Sequence, residues 1–144
     1  MLLEKSFRLF LPEPPEHLYQ PERVFSGRPP FRMLRREGFW LEGVLVAEAP
    51  LLGEIQFPFR SRIHPEGRVA RLEALPLENP PPFWVELAGR GEVVEGGLEY
   101  RLTLRLHASL PPGEKWGGRA LRRLAEAAFE RNLERELKRL AQGA

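Results

Sequence analysis

Apolar residues recur at every second position near the two ends of the first 110 residues, then at three- to four-residue steps towards the C-terminus. Over positions 2–11, Leu3, Phe7, Leu9 and Leu11 share one side with Lys5, the alternation of a first strand. From Gly97 to Leu110 the pattern is cleaner. Leu98, Tyr100, Leu102, Leu104, Leu106, Ala108 and Leu110 face one way, while Glu99, Arg101, Thr103, Arg105, His107 and Ser109 face the other. Such a strand has one side in a core and one in water. After Pro111-Pro112-Gly113, Leu121, Leu124, Ala125, Ala128, Leu133, Leu137 and Leu140 form an apolar stripe, and charges favour the rest of the circumference. This predicts one amphipathic helix from about Glu114 to Ala141.

Between these ends the punctuation is that of turns. Pro12–Tyr19 suits a short helix, with Pro and Glu in its first turn, and Pro21–Phe25 a second one. Ser26–Pro30 reads as a loop. Strands follow over Phe31–Arg36, Phe39–Ala49, Glu54–Ile63, Arg68–Leu77 and Phe83–Val94. They are separated by Glu37-Gly38, Pro50–Gly53, His64–Gly67 and the run Asn79-Pro80-Pro81-Pro82, where consecutive prolines cannot donate to a ladder. Glu95-Gly96-Gly97 closes the last hairpin.

Lengths connect the helix to the strands. A helix of roughly 28 residues spans about 40 Å, and a strand of roughly 13 residues about 44 Å. The helix can therefore lie along the sheet and bury its stripe against one face. Long antiparallel strands twist and coil, and Gly43, Gly89 and Gly91 are the positions for bends or bulges. Gly117-Gly118 would let the helix start approach the sheet near Trp116. The expected fold is α+β: a curved antiparallel sheet of about seven strands, two short helices after strand 1, and a long C-terminal helix gripped by the sheet. Residues 1–144 are expected to make one domain.

Composition narrows the classes. With 42% hydrophobic and 29% charged residues the chain has the balance of a folded globular protein. No apolar run approaches the ~20 residues of a membrane-spanning helix, and Met1–Lys5 lacks the apolar core of a signal peptide. The expectation is a cytoplasmic protein with no integral membrane segment. No cysteine and no aspartate occur, and Arg supplies most of the positive charge, a composition in keeping with thermophiles. The absence of cysteine removes disulfides, thiol catalysis and cysteine-based metal sites. A net charge of +2 with closely alternating signs does not imply nucleic acid.

The element order resembles that of the START/Bet v 1-like (SRPBCC, helix-grip) superfamily. So does the opening Phe7-Arg-Leu-Phe-Leu-Pro-Glu-Pro-Pro-Glu-His-Leu-Tyr, which is similar to the strand-then-Pro-x-Glu-x-Val-Trp/Tyr entry common there. Within it the chain looks most like small uncharacterised bacterial members of a Thermus/Deinococcus lineage. The resemblance implies a space between sheet and helix that holds an apolar ligand such as a lipid, quinone or aromatic. Phe7, Phe39, Leu41, Phe57, Phe59, Phe83, Val85, Tyr100, Leu102 and Leu104 would line it from the sheet, and Leu121, Leu124 and Ala128 from the helix. Equally, these side chains can fill the space as a packed core. Arg71 and Glu73, placed on an inner face with Val69 and Leu75, would meet a ligand's polar head, as would Lys5, unless they turn outward.

No catalytic or cofactor signature accompanies this. His17, His64 and His107 lack metal-ligand spacing, and Ser6, Ser26, Ser61 and Ser109 lack a nucleophile-elbow context. No cofactor or metal is expected. Three functional readings follow: a non-catalytic carrier or sensor of an apolar small molecule, a cyclase- or hydrolase-type enzyme using polar groups in the cavity, and a protein-interaction module. The last would work through the Pro-rich loops Phe25–Phe31 and Pro80–Trp84 or through the outer sheet face. Oligomeric state has no signature in the sequence.

Overall fold

The computed structural model describes residues 3–49, 53–108 and 117–141. Strand β1 (Leu3–Leu11) is followed by a 3-10 helix α1 (Pro15–Tyr19) and a short α-helix α2 (Pro21–Phe25). Then come β2 (Phe31–Glu37), β3 (Trp40–Ala49), β4 (Gly53–Glu66), β5 (Val69–Leu75), β6 (Phe83–Val94) and β7 (Gly97–Ala108). The last helix, α3, runs as α-helix over Gly117–Ala127, as a π segment over Ala128–Leu133, and as α-helix over Glu134–Ala141. The predicted helix start from Glu114, the proline break before it, Trp116 and the Pro50–Leu52 connection lie outside the described residues.

All strands pair antiparallel in one sheet, ordered β1-β7-β6-β5-β4-β3-β2. The two alternating segments that head and close the sheet section of the chain lie side by side, with Phe7 opposite Leu102 and Leu9 opposite Tyr100. Their shared register puts Leu9, Leu11, Leu98, Tyr100, Leu102 and Leu104 on one buried face. That face receives α3 and is closed at one end by α1 and α2, whose Leu18, Val24 and Phe25 are buried.

Two local departures shape the sheet. The β5–β6 ladder runs only from Val69↔Glu92 to Leu72↔Gly89, so beyond Gly89 the carbonyls of β6 lose their neighbour. Ser61 of β4 crosses the gap and donates its hydroxyl to the Leu87 carbonyl at 2.6 Å, which satisfies a buried acceptor. Gly89 sits at φ +150, and a Cβ there would lie 2.0 Å from the Arg101 carbonyl oxygen, so only glycine fits this bend. In β2 the register with β3 shifts between Arg32 and Arg35, and Met33, at φ 55, is thrown outward with 65% of its surface exposed.

Turn positions differ from those read in the sequence by one to three residues. β4 continues through His64-Pro65 to pair Glu66 with Val69, leaving Gly67 and Arg68 as the loop. The sequence pattern ends the strand before Pro65, but this proline lies near the hairpin end, where the ladder survives a missing donor.

The helix carries an irregularity that its stripe foreshadows. Between Ala128 and Leu133 the stripe steps by five, which at about 100° per residue would rotate Leu133 some 140° away from Ala128 in a continuous α-helix. A π turn closes i→i+5 and takes up the extra residue. Ala125, Ala128, Phe129, Leu133, Leu137 and Leu140 are all buried as a result. Phe129, which the expected stripe omitted, meets Phe57 edge-to-face with centroids 6.1 Å apart.

Candidate functional site

Most of the expected pocket residues do face the space between sheet and helix. Leu41, Phe57, Phe59, Phe83, Val85, Tyr100, Leu102, Leu104 and Ala128 are buried there, and Phe7, Leu121 and Leu124 are half-buried. They are packed against one another. Phe25 lies 4.6 Å from Phe31 and 5.0 Å from Tyr100, centroid to centroid. Tyr100 stands over Gly91, its hydroxyl 3.4 Å from the Leu18 carbonyl. Burial, with the Glu22 and Glu13 carboxylates nearby, holds its phenol protonated well above the ordinary tyrosine range.

Three expected lining residues are elsewhere. Phe39 falls in the two-residue loop between Glu37 and Trp40, one residue beyond where the turn was read, and is 51% exposed. Arg71 and Glu73 do share a face with Val69 and Leu75, but it is the outer one. Pairing of Ile63 with Leu72 and Pro65 with Ala70 turns Ala70 and Leu72 inward instead. On the outer face Arg71 meets Glu66 at 3.3 Å, and Glu73 meets His64 at 2.8 Å. Lys5 keeps its inner-face position and approaches Glu134 of α3 at 3.8 Å.

An opening adjoins this packed layer at the far end of α3. One wall is the loop after α2, held by the Phe31 amide on the Arg28 carbonyl (3.0 Å) and the Val46 amide on the Pro30 carbonyl (3.0 Å). The other is the last part of α3, tied to the sheet where the Glu48 amide donates to Asn132 Oδ1 at 2.9 Å. The groove between them has a 320 Å³ part lined by Pro12, Pro29, Leu140, Arg28 and Arg139. A 550 Å³ part continues past Pro29 along Phe31, Met33 and Val46. Its cations are partly committed: Arg28 to Glu13 at 2.6 Å, Arg32 to Glu54 at 2.7 Å, Arg139 to Glu136 at 3.4 Å. The sequence marks this loop only as a Pro-rich surface for the protein-interaction reading. The contribution of Leu140 and Arg139 needed the helix length and its π turn.

A second groove of about 620 Å³ lies on the outer face, lined by Met33, Val44, Pro58 and Leu77 with Arg35, Glu42, Arg60 and Glu78. Beside it the Arg60 and Arg62 guanidinium carbons stand 4.8 and 5.4 Å from the centre of the Trp40 ring.

Each histidine pairs with one glutamate: His17 with Glu13, His64 with Glu73, and His107 with Glu86, His107 also stacking on Trp84 at 4.1 Å. Among the described residues no group of three or more metal-ligating side chains forms. None of the described helices is long and apolar enough to cross a membrane.

Hydrogen bonds from Arg32 to Glu54, from Arg8 to Glu99 and between His64 and Glu73 hold these three carboxyls below their ordinary range. A carboxyl whose pKa is depressed by folding stabilises the fold above its unfolded value, about 4.3. That contribution disappears as pH falls through the folded value. Urea midpoints should therefore be flat from pH 7 to about 5 and fall progressively below about pH 4.5. An R32Q/R8Q variant should show a shallower fall.

Residues 6–138 match the model of a family described as a protein of unknown function, DUF3809. The chain belongs to the DUF3809 family. No curated protein sequence matches it. Among solved structures, TTHA0849 from Thermus thermophilus is 22% identical over 98% of this chain and 96% of its own, with a TM-score of 0.55. The Zhui aromatase/cyclase from a Streptomyces species is 15% identical over 97% and 94%, with a TM-score of 0.54. At such identities the likeness is one of fold. This DUF3809 chain has a helix-grip fold, with a seven-stranded curled sheet, short helices after β1 and a long C-terminal helix.

Proposed function

We propose that this DUF3809 protein is a non-catalytic binder of an apolar small molecule of lipid, quinone or aromatic kind. The molecule enters at the groove between the 27–31 loop and the end of α3. The observation that carries the reading is the groove itself: Pro12, Pro29, Phe31, Val46 and Leu140 supply its apolar lining, and Arg28, Arg32, Arg139, Glu48, Glu54, Glu136 and Asn132 supply polar groups alongside them. Apolar side chains combined with polar groups that can fix a ligand's orientation are the makeup of a small-molecule site. A fold neighbour named an aromatase/cyclase supports the ligand class. A cyclase- or hydrolase-type activity needs ionisable groups converging on the inner layer. With Arg71 and Glu73 facing outward, that alternative keeps, among the described residues, the Lys5–Glu134 pair and the buried Tyr100 phenol.

An anionic aromatic probe such as anilinonaphthalene sulfonate should bind saturably at one site and be displaced by oleate. Pro12 is exposed at the groove edge, so Pro12→Trp should fill the groove and weaken binding by about tenfold or more. Arg139→Ala should weaken it a few-fold by removing a charged partner for the sulfonate. Non-saturable binding, or affinity indifferent to Pro12→Trp, would overturn the reading.

A further inference from the structure

The charges of α3 are sorted by height above the sheet. Its exposed charged residues are Arg119, Arg123, Glu130, Arg131, Arg135, Lys138 and Arg139, six cations and one acid. The remaining carboxylates sit lower on the flanks and are paired: Glu126 with Arg122 at 3.2 Å, Glu134 with Lys5 and Lys138, and Glu136 with Arg139. Arg119, Arg123, Arg131 and Arg135 have no ion-pair partner among the described residues. Residues 117–141 carry seven cations and four carboxylates, while the whole chain has a net charge of only +2, so this helix holds the chain's excess of positive charge.

The π turn keeps the ridge in line. Over the eight residues from Arg123 to Arg131 an uninterrupted α-helix would rotate by about 80° beyond two full turns. The wider turn at Ala128–Leu133 reduces that rotation, as it does for the apolar stripe on the opposite side. The result is a row of cations along a helix of roughly 37 Å.

We propose that this ridge docks the protein on an anionic lipid bilayer. A bilayer presents a diffuse negative potential that attracts each surface cation without requiring directional partners. The crest suits such a surface because its exposed positions offer charge and nothing that reads shape. They include no aromatic ring, hydroxyl or amide, the groups that a nucleic-acid or protein interface would add. The one amide nearby, Asn132, is half-buried and engaged with Glu48. At its C-terminal end the ridge meets an apolar contact point, where Met33 lines the same groove as Arg139. Cations beside an exposed apolar side chain are the makeup of an interfacial membrane contact. The proposal stands without the small-molecule reading, because its unpaired cations lie on the outer side of α3 and the contact at Met33 requires no ligand in the groove.

Co-sedimentation with phosphatidylglycerol/phosphatidylcholine vesicles tests it, with pure phosphatidylcholine vesicles and duplex DNA as the other arms. Binding should appear with the anionic vesicles, vanish in 0.5 M salt as charges are screened, and be absent with phosphatidylcholine alone. The R123Q/R131Q/R135Q variant alters only exposed, unpaired side chains and should retain the wild-type Tm. It should lose roughly a hundredfold in partition coefficient, at about fivefold per cation, while still binding anilinonaphthalene sulfonate. Pro12→Trp should behave the opposite way, losing the probe and keeping the vesicles. No binding to anionic vesicles, equal binding to neutral ones, wild-type partitioning by the triple variant, or binding to DNA in place of vesicles would each overturn the proposal.

Discussion

Replacing Phe129 by Ala should destabilise the protein by about 3–5 kcal/mol, the range for removing a buried phenyl ring. That is a large part of the ~5–15 kcal/mol that holds a domain of this size folded. The ring is 1% exposed and sits where α3 changes its winding, edge-to-face with Phe57 of β4. Its loss removes apolar burial, an aromatic contact and the anchor of the π turn together. Urea unfolding at pH 7 measures it. Arg123→Ala, on the exposed side of the same helix, should change stability by less than about 0.5 kcal/mol. A Phe129→Ala cost near that of the control would mean that the π turn does not press on the sheet. If the side chain's volume matters more than its ring, Phe129→Leu should recover most of the loss.

The second large effect is expected at Gly91. A Cβ at this position would lie 2.6 Å from Cε1 of Tyr100 and 2.7 Å from its Cζ. Tyr100 cannot swing aside freely, since it is fully buried against Phe25 and its hydroxyl approaches the Leu18 carbonyl. Gly91→Ala should therefore cost about 1–3 kcal/mol through overpacking. The contact is specific to one ring, so the same substitution in a Tyr100→Leu background should cost much less. The double-mutant cycle should show a coupling of about 1–2 kcal/mol. Additive effects would mean that Gly91 is required for its backbone conformation and not for the space it leaves. Since Gly91 has no positive φ, the packing account predicts coupling.

How far the sequence carried the fold depended on how periodic each segment was. β7 alternates without a break over its whole length, and its face assignment from Leu98 to Leu106 agrees with the structure residue by residue. The agreement of helix and strand lengths identified the layer that α3 covers. β5 misleads because its inward residues are Ala70 and Leu72, while Val69 and Leu75 on the outer face are equally apolar. A short strand with apolar residues on both faces has no parity signal, and only its pairing with β4 decides. Phe39 has the parity of Leu41 and so reads as an inner residue, but it lies past the end of the ladder.

The groove was less legible than the core. Gly27, Pro29 and Pro30 read as a stiff loop, while Arg139 and Leu140 belong to a helix more than 100 residues later. Their approach depends on how α3 is wound, and the clue was the single five-residue step in its apolar stripe. The sorting of cations above carboxylates on α3 was also hidden. Pairs four residues apart attract at Arg122–Glu126 and Glu134–Lys138 but repel at Glu126–Glu130 and Arg131–Arg135, because spacing along the chain does not report height above the sheet.

The displaced register at Met33 also bears on how these molecules behave when crowded. β2 is the outermost strand on its side of the sheet. A long, straight border of unpaired amides and carbonyls would recruit strands from neighbouring chains and seed fibrils. Here the border is interrupted between Arg32 and Arg35, and the charged run Arg35-Arg36-Glu37 follows at once. An incoming strand would find only two short stretches out of step with each other. The irregularity that throws a methionine into solvent thus also guards against edge-to-edge aggregation.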